Sequence, residues 1–166
     1  MSTGLLIFTL VHVAISLFGI AAGFVWMAGL LKRTNSTRWT NLFLSTTVLT
    51  SVSGFGFPFA GITPGIVIGI LSLIILAVAL YARSVRQLAG RWNATFIVTA
   101  MIAQYFNVFV LVVQSFQKVP FLKALAPTQS EAPFAATQLA VLVGFLVAGV
   151  VSLKQNRKPA TKLAAA

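Results

Sequence analysis

Three amide side chains recur along one apolar stretch of the chain, where they are the clearest candidates for binding chemistry. Gln104, Asn107 and Gln114 fall within an arc of roughly 80° at the helical period of about 100° per residue. Tyr105 lies to one side of this arc. An amide in apolar surroundings is costly unless it is hydrogen-bonded, so these side chains are expected to point inward. Hydrogen bonds between helices are the leading interpretation, and a ligand-binding or water-filled cavity is the alternative.

His12 is the only histidine, and it shares a helical stripe with Thr9, Ser16, Gly19 and Gly23. A hydrogen bond to a neighbouring helix is the leading interpretation of His12, and a proton relay or ligand contact is the alternative. Haem ligation has poor support, because a six-coordinate b-type haem usually needs a second strong ligand. Only the three methionines remain as side-chain candidates for that ligand.

The second apolar stretch is rich in hydroxyl groups, and Thr50 and Ser53 lie on one of its faces. Such side chains usually bond back to the carbonyl four residues earlier and allow helices to pack closely, with a polar cavity lining as the alternative. Two glycines and a proline then weaken the helix. Phe55, Phe57 and Phe59 alternate there, which would turn the rings to one side of an extended segment. An aromatic pocket wall, lipid anchoring and ordinary packing all fit this pattern.

Glu131, the single acidic residue, precedes the last apolar stretch. A carboxylate suits the positive N-terminal end of a helix, so helix capping is the leading interpretation, with Thr128 or Ser130 as the capping hydroxyl. The alternative is a functional carboxylate paired with Lys118 or Lys123 at the entrance to a cavity.

The composition places these residues in a membrane protein. Of 166 residues, 58% are hydrophobic and 8% are charged, whereas soluble domains are about a quarter charged. A soluble core could not hide this much apolar surface, which excludes soluble enzymes, disordered chains and disulfide scaffolds. The net charge of +11 is interleaved with apolar runs, which indicates anionic lipid head groups rather than nucleic acid as partners. The chain has no metal-ligand cluster, nucleophile with base or phosphate loop, which argues against an enzyme.

Five apolar windows are long enough to cross a bilayer core of about 30 Å as helices. They cover approximately residues 5–31, 40–60, 65–82, 93–116 and 134–153. The sequence therefore predicts an all-α polytopic membrane helix bundle with five transmembrane helices, in one domain over residues 1–161. Pro120 is expected to open a short helix that Pro127 ends. Residues 162–166 resemble a translated cloning linker and are excluded from the fold.

Basic residues fall on one side of these windows. Nine lie in the first and third connections and after the last window: Lys32, Arg33, Arg38, Arg83, Arg86, Arg91, Lys154, Arg157 and Lys158. The opposite side holds only Lys118, Lys123 and Glu131. The positive-inside rule then places the N-terminus outside and the C-terminus in the cytoplasm. The three tryptophans and Tyr81 lie near the same cytoplasmic ends, as expected of interfacial aromatic rings.

Two segments resemble the signature stretches of a protein family. They are residues 49–59, LTSVSGFGFPF, and residues 126–134, APTQSEAPF. The family comprises small bacterial multi-pass inner-membrane proteins without an established activity, so the resemblance implies that location and no catalytic residue. Ala132 stands where the family pattern has a proline, which should soften the loop without abolishing its turn. The helix count is also similar to that of the translocator protein family, at the level of number alone.

The leading functional hypothesis is the binding or passage of a small, weakly polar or amphipathic molecule in a cavity in the outer half of the bundle. The residues expected to line or cover that cavity are His12, Ser16, Thr50, Ser53, Phe55, Phe57, Gln104, Tyr105, Asn107, Gln114 and Glu131. One alternative is a non-catalytic structural or regulatory subunit, which could be a homo-oligomer joined through stripes of small residues. Another is a haem or redox membrane protein with a single histidine ligand.

Overall fold

The computed structural model describes residues 2–58, 61 and 63–156, and all regular structure among them is helical. The helices are α1 (Thr3–Lys32), α2 (Thr37–Gly54), α3 (Pro64–Leu80), α4 (Arg91–Lys118), α5 (Pro120–Leu125) and α6 (Ala132–Gln155). A π-helical turn over Tyr81–Val85 continues α3. The short helix expected between Pro120 and Pro127 is present as α5. The predictions for Phe59, Arg157, Lys158 and residues 162–166 lie outside the described residues.

Within the described part of the chain, four helices are long and apolar enough to cross a membrane. These are α1, α3 with its π turn (Pro64–Val85), α4 and α6, whose most apolar segments have mean hydropathies between 2.2 and 2.7. The chain thus has the structure of a multi-pass membrane protein. The helix α2 is not in this group, because hydroxyl, amide and guanidinium side chains lower its hydropathy.

The window at residues 40–60 is shifted in the structure. The helix α2 begins earlier, at Thr37, and ends at Gly54, six residues before the expected end. The backbone N–H groups of Phe55 and Gly56 donate to carbonyls three residues earlier, which tightens the chain into a turn. The helix therefore ends just before Pro58, as the glycines and proline predict.

The long helices form a closed ring, and one of them, α4, contacts all the others. The helix α1 packs on α2, α2 on α3, α3 on α4 and α4 on α6, while α6 returns to contact α1. The helix α4 also contacts α1 and α2, and it has the most buried residues of any helix. It therefore positions the polar side chains that join the bundle.

Hydrogen bonds between helix ends show that α3 runs antiparallel to α2 and that α6 runs parallel to α1, as in a bundle whose consecutive long helices alternate in direction. Arg83, beyond α3, donates to Asn41 in the first turns of α2, at 2.7 Å. Asn156, just after α6, donates to the Leu30 carbonyl near the end of α1, at 3.2 Å. We call the end of the bundle where these four residues lie the basic end. Its basic residues are Lys32, Arg33, Arg38, Arg83, Arg86, Arg91 and Lys154.

Large buried side chains concentrate toward the basic end, while the outer faces of the bundle are apolar. The Trp26 and Phe43 rings stack with centroids 5.1 Å apart, and Phe96 meets Trp26 edge-on at 6.1 Å. By contrast, Leu10 and Leu139 each expose 61% of their surface. Apolar side chains of this kind are stable facing lipid, where they need no covering layer of protein.

Two glycines of α1 allow two different helices to pack closely against it. A Cβ atom at Gly19 would lie 2.9 Å from the Thr46 hydroxyl oxygen of α2. A Cβ atom at Gly23 would overlap the side-chain amide of Gln104 in α4. The GxxxG pair therefore permits the close approach expected from the sequence, with a separate partner for each glycine.

Replacement of Gly23 by alanine should destabilise the fold by about 1–3 kcal/mol, because the added methyl group must displace the Gln104 amide. The matched control is Gly144→Ala in α6, where a Cβ atom would have nothing within 4 Å. Equilibrium unfolding of the purified proteins in mixed micelles, followed by circular dichroism, measures the difference. Equal stabilities of the two variants would contradict this packing.

Candidate functional site

The predicted site residues do not converge on one cavity. One group lies between α1 and the end of α2, around His12. A second group lies on α4, where Gln104 and Asn107 face other helices. The remaining residues lie apart from both groups. Two open clefts, which the sequence interpretation missed, lie instead at the basic end.

A compact contact cluster surrounds His12, and we call His12, Ser53, Phe57 and Phe8 the histidine cluster. His12 Nδ1 lies 2.8 Å from the Ser53 hydroxyl oxygen, which joins α1 to the end of α2. The Phe57 ring meets the imidazole edge-on, with ring centroids 5.0 Å apart. The Phe57 ring also packs in a tilted arrangement against the Phe8 ring, with centroids 4.9 Å apart. His12 thus has the hydrogen bond to a neighbouring helix that was its leading interpretation.

Serine hydroxyls bond to backbone carbonyls around this cluster. The Ser53 hydroxyl also lies 3.2 Å from the Thr50 carbonyl, and it can donate only one hydrogen. When it donates to that carbonyl, Nδ1–H of His12 is the donor to Ser53. The Ser16 hydroxyl donates to the His12 carbonyl at 2.7 Å, within its own helix. These bonds fix local geometry, as expected of hydroxyl groups in apolar helices.

Phe55 and Phe57 face different helices, because the segment is not extended, which was the condition for both rings to share one side. Phe55 has helical backbone angles at the end of α2, and the chain turns at Gly56 instead of extending. The Phe55 ring lies over Gly69 of α3, where a Cβ atom would come within 3.1 Å of its Cζ. Phe57 contacts α1 through His12. The turn therefore uses its rings to bind α2 to both neighbours.

The amides of α4 join it to α1 and α2. Gln104 is fully buried, and its Nε2 donates to the Ile20 carbonyl of α1 at 2.9 Å. Asn107 Nδ2 donates to the Thr47 hydroxyl of α2 at 3.1 Å. Both amides thus make hydrogen bonds between helices, which was the leading interpretation from the sequence. Gln104 Oε1 is buried without a partner among the described residues.

A third amide, which the sequence interpretation missed, also makes a hydrogen bond to α4. Gln138 of α6 donates through Nε2 to the Phe109 carbonyl of α4 at 3.2 Å. Its sequence signal was the presence of an amide within an apolar window, the same signal that identified Gln104. The amides therefore connect α4 with three other helices.

Gln114 and Tyr105 occupy other surroundings. Gln114 is exposed, contrary to the expectation that it points inward. It lies seven residues beyond Asn107, about 10 Å further along α4, at about the level of Gly54, where α2 ends. Tyr105 is half-buried and meets the Phe145 ring of α6 edge-on at 5.7 Å. Thr50 is half-buried, and its hydroxyl oxygen has no partner among the described residues.

Glu131 stabilises the turn between α5 and α6. It occupies the N-cap position of α6, in place of Thr128 or Ser130. Its carboxylate accepts from the N–H and hydroxyl of Thr128, at 3.1 and 2.9 Å, and from the N–H of Ser130 at 3.1 Å. Desolvation raises the pKa of the Glu131 carboxyl, but hydrogen bonds from Thr128, from its own N–H and from Ser130 outweigh it and lower the pKa below the usual value.

The first cleft at the basic end lies between α2 and α3, and we call it the α2–α3 cleft. It has a volume of about 550 Å³ and is lined by Asn41, Leu44, Ser45, Val48, Leu49, Leu80, Arg83 and Ser84. The Arg83 guanidinium is half-buried, donates to Asn41 and lies 5.9 Å from the centre of the Phe96 ring. The cleft thus combines one cation with small polar groups and an apolar wall.

The second cleft lies beside the connection from α1 to α2, and we call it the α1–α2 cleft. It has a volume of about 330 Å³ and is lined by Val25, Trp26, Ala28, Gly29, Lys32, Thr34, Ser36 and Trp39. Neither cleft could be found by periodicity alone, because each depends on residues from two elements. The available signals were the interfacial tryptophans and the arginine that follows the third apolar window.

The Asn107–Thr47 hydrogen bond should show energetic coupling. In a double-mutant cycle of Asn107→Leu and Thr47→Val, we expect a coupling energy of about 0.6–1.7 kcal/mol in unfolding free energy, as for other bonds between membrane helices. The control cycle pairs Thr47→Val with Gln114→Leu, whose side chain is exposed. Equal coupling in both cycles would show that the hydrogen bond does not join the helices.

No protein-family model, curated protein or solved structure matches the chain. The contacts and clefts described above therefore carry the functional argument. The resemblance of residues 49–59 and 126–134 to a bacterial membrane-protein family stays an expectation from the sequence, and it assigns no role to a residue.

Proposed function

We propose that this chain is a small integral membrane protein that binds an amphipathic molecule with an acidic head group in the α2–α3 cleft. The observation that carries the proposal is the half-buried Arg83 guanidinium, which lines the cleft. Its hydrogen-bond partner, Asn41, is neutral. The single acidic residue, Glu131, lies between α5 and α6 rather than at the basic end. An acidic ligand would supply the missing negative charge.

The polarity of the cleft changes along its length. Asn41 and Ser45 lie on α2 near the basic end, whereas Val48 and Leu49 follow one turn deeper. On the other wall Arg83 lies near the basic end, and Leu80 lies about one turn further in. This gradient fits a head group beside Arg83 and an apolar tail between the helices. The volume of about 550 Å³ lies within the usual range of small-molecule sites.

The π turn supports the same assignment. Arg83 and Ser84 belong to it, and the Arg86 N–H closes it by donating to the Tyr81 carbonyl at 3.1 Å. Such turns often occur at functional sites in helices. A guanidinium has five N–H donors in a planar fork, and the hydrogen bond to Asn41 uses one of them. Other donors are available for two-point contact with a carboxylate or phosphate.

The sequence predicts a small, weakly polar or amphipathic ligand in the outer half of the bundle. The present proposal specifies an amphipathic ligand with an acidic head group and assigns it to the basic end. The histidine cluster is held together by the His12–Ser53 hydrogen bond and the rings around it. Gln104 and Asn107 likewise use their amide nitrogens in bonds between helices. We assign these residues to the packing of the bundle rather than to ligand contact.

We further propose that α2 also crosses the membrane, giving five transmembrane helices in a bacterial inner membrane, with the basic end in the cytoplasm. The alternating helix directions support this topology. Reporter domains fused to the two ends of the chain should then lie on opposite sides of the membrane, with the C-terminal reporter in the cytoplasm. Reporters on the same side would contradict the five-helix topology.

Arg83→Gln should weaken the binding of an acidic amphiphile about tenfold, because a charge-assisted contact is lost. The probe is oleate, titrated into the detergent-solubilised protein and counted by native mass spectrometry, with oleyl alcohol as the uncharged match. The control is Arg86→Gln, which removes the same charge at a residue that lies over Trp92, 5.2 Å from the ring centre, and does not line the cleft.

Wild-type protein and Arg86→Gln should retain oleate in preference to oleyl alcohol, and Arg83→Gln should lose that preference. Equal oleate binding by the two arginine variants would reject the α2–α3 cleft as the site. Equal retention of oleate and oleyl alcohol by the wild type would reject the acidic head group.

A further inference from the structure

The helix α5 follows the last turn of α4, at the end of the bundle opposite the basic end. We propose that α5 docks on an anionic phospholipid surface, with Phe121 and Leu125 inserted below the head groups and with Lys118 and Lys123 at their phosphates. We call these four side chains the α5 anchor. The proposal is independent of the ligand assigned to the α2–α3 cleft, because the anchor shares no residue with that cleft.

The length of α4 places α5 at the depth of the head groups. The helix α4 is apolar enough to cross a membrane, and its 28 residues span about 42 Å at the usual helical rise. A bilayer with both head-group regions is about 40–45 Å thick. In a membrane that α4 crosses from Arg91 at the basic end, Lys118 lies near the opposite surface, and α5 begins two residues later. Apolar side chains of α5 can reach the acyl chains there, and its cations can reach phosphates.

Contacts with α4 fix the orientation of α5. Val119, the one residue between the two helices, has extended backbone angles that interrupt the helical path. Its N–H donates to the Ser115 carbonyl at 2.9 Å. After α5, Ala126 is fully buried, and the Gln129 amide donates to the Val113 carbonyl of α4 at 2.9 Å. The exposed faces of α5 are therefore held in a fixed direction relative to α4.

Apolar and cationic side chains lie on opposite faces of α5. Phe121 exposes 71% of its surface, the largest fraction among the exposed large apolar side chains of the described residues, and Leu125 exposes 43%. The two are four residues apart, so they share one face. Lys123 is two residues from each and lies about 160° around the helix from them. This arrangement is typical of helices that lie in the membrane interface with their apolar face among the acyl chains.

The charges around α5 favour anionic lipid. Lys118 and Lys123 are both exposed. The single carboxylate side chain, Glu131, is already engaged by Thr128 and Ser130 in the turn before α6. Phosphate oxygens accept hydrogen bonds from ammonium groups, and attraction to anionic lipid adds to apolar burial in the binding of interfacial helices. An anionic phospholipid therefore matches both faces of α5.

The small size of the apolar face favours lipid over a protein partner. The face consists of one ring and one aliphatic side chain, whereas stable protein–protein interfaces bury about 1,200 Å² or more. Lipid contact needs no such area, because the long apolar helices would already hold the chain in the membrane. A protein cover, including a second copy of this chain, is the outcome that the experiment must separate from lipid.

Spin labels on the two faces of α5 test the proposal. The chain has no cysteine, so Leu125→Cys and Lys123→Cys each give the full-length protein a single nitroxide site. Label depth is measured by power saturation in vesicles of phosphatidylethanolamine and phosphatidylglycerol, with oxygen as the reagent that enters lipid and a nickel complex as the reagent that stays in water. We expect the label at position 125 about 5–10 Å below the head-group boundary and the label at position 123 in water. Equal depths, or protection of both labels from both reagents as under a protein cover, would overturn the proposal.

Phe121→Ser, combined with Leu125→Cys, should move the label at position 125 toward water, because the main apolar contact of the face is lost. The matched control is Leu139→Ser with Leu125→Cys, which removes a similarly exposed apolar side chain, at 61%, from α6. The control should leave the label depth unchanged. Equal shifts in the two variants would contradict the insertion of Phe121.

Replacement of phosphatidylglycerol by phosphatidylcholine tests the charge of the head group. The label at position 125 should lie closer to water in the uncharged vesicles, and Lys118→Gln together with Lys123→Gln should abolish the difference between the two vesicle types. Equal depth of the label in both vesicle types would reject the anionic head group. Arg83→Gln should leave the depth unchanged, so failure of the α5 anchor is distinguishable from failure of the α2–α3 cleft.

Discussion

An amide group that leaves water for a helix bundle must find a hydrogen-bond partner inside protein, and this constraint organises the structure. Because lipid tails are as apolar as the side chains, no hydrophobic effect drives helices together within the bilayer. Close packing and hydrogen bonds must therefore hold membrane helices together. The helix α4 meets that requirement through Gln104 to α1 and Asn107 to α2, and it receives Gln138 from α6. Its central position follows from these three bonds as much as from its apolar surface.

Backbone proximity makes those bonds attainable. Gly23 leaves room for the Gln104 amide, and Gly19 leaves room for the Thr46 hydroxyl. Thus each of these polar side chains occupies the space that a glycine leaves in the facing helix. The histidine cluster adds a separate hydrogen bond between α1 and the end of α2, at residues distant in sequence from the amides.

The two ends of the bundle differ in charge and in shape. At the basic end, cationic side chains line two open clefts without a carboxylate from the described chain nearby. At the other end, the carboxylate of Glu131 is already engaged by the turn that it closes. This distribution of charge supports the proposal of an anionic ligand at the basic end.

Apolar length and proline placement were sufficient to predict most of the helices, including α5. Helical periodicity also gave the inward direction of Gln104 and Asn107, because two or three polar positions define a face. It could not name their partners, since Gln104 and Ile20 are distant in sequence and meet only through packing. The prediction that Gln114 points inward is wrong, because a polar face is buried only where another helix packs against it. The clefts depend on pairs such as Asn41 and Arg83, which no local pattern connects.

The short length of α2 has a consequence for the surrounding lipid. Its 18 residues span about 27 Å, whereas a typical hydrocarbon core is about 30 Å thick. In the proposed five-helix topology, hydrophobic mismatch of this kind would draw the nearest leaflet inward. Leu49 and Val52 face outward on α2, so the thinned lipid would lie beside these side chains. In that topology, thinning there would shorten the path from the membrane surface to the guanidinium of Arg83, which lines the α2–α3 cleft.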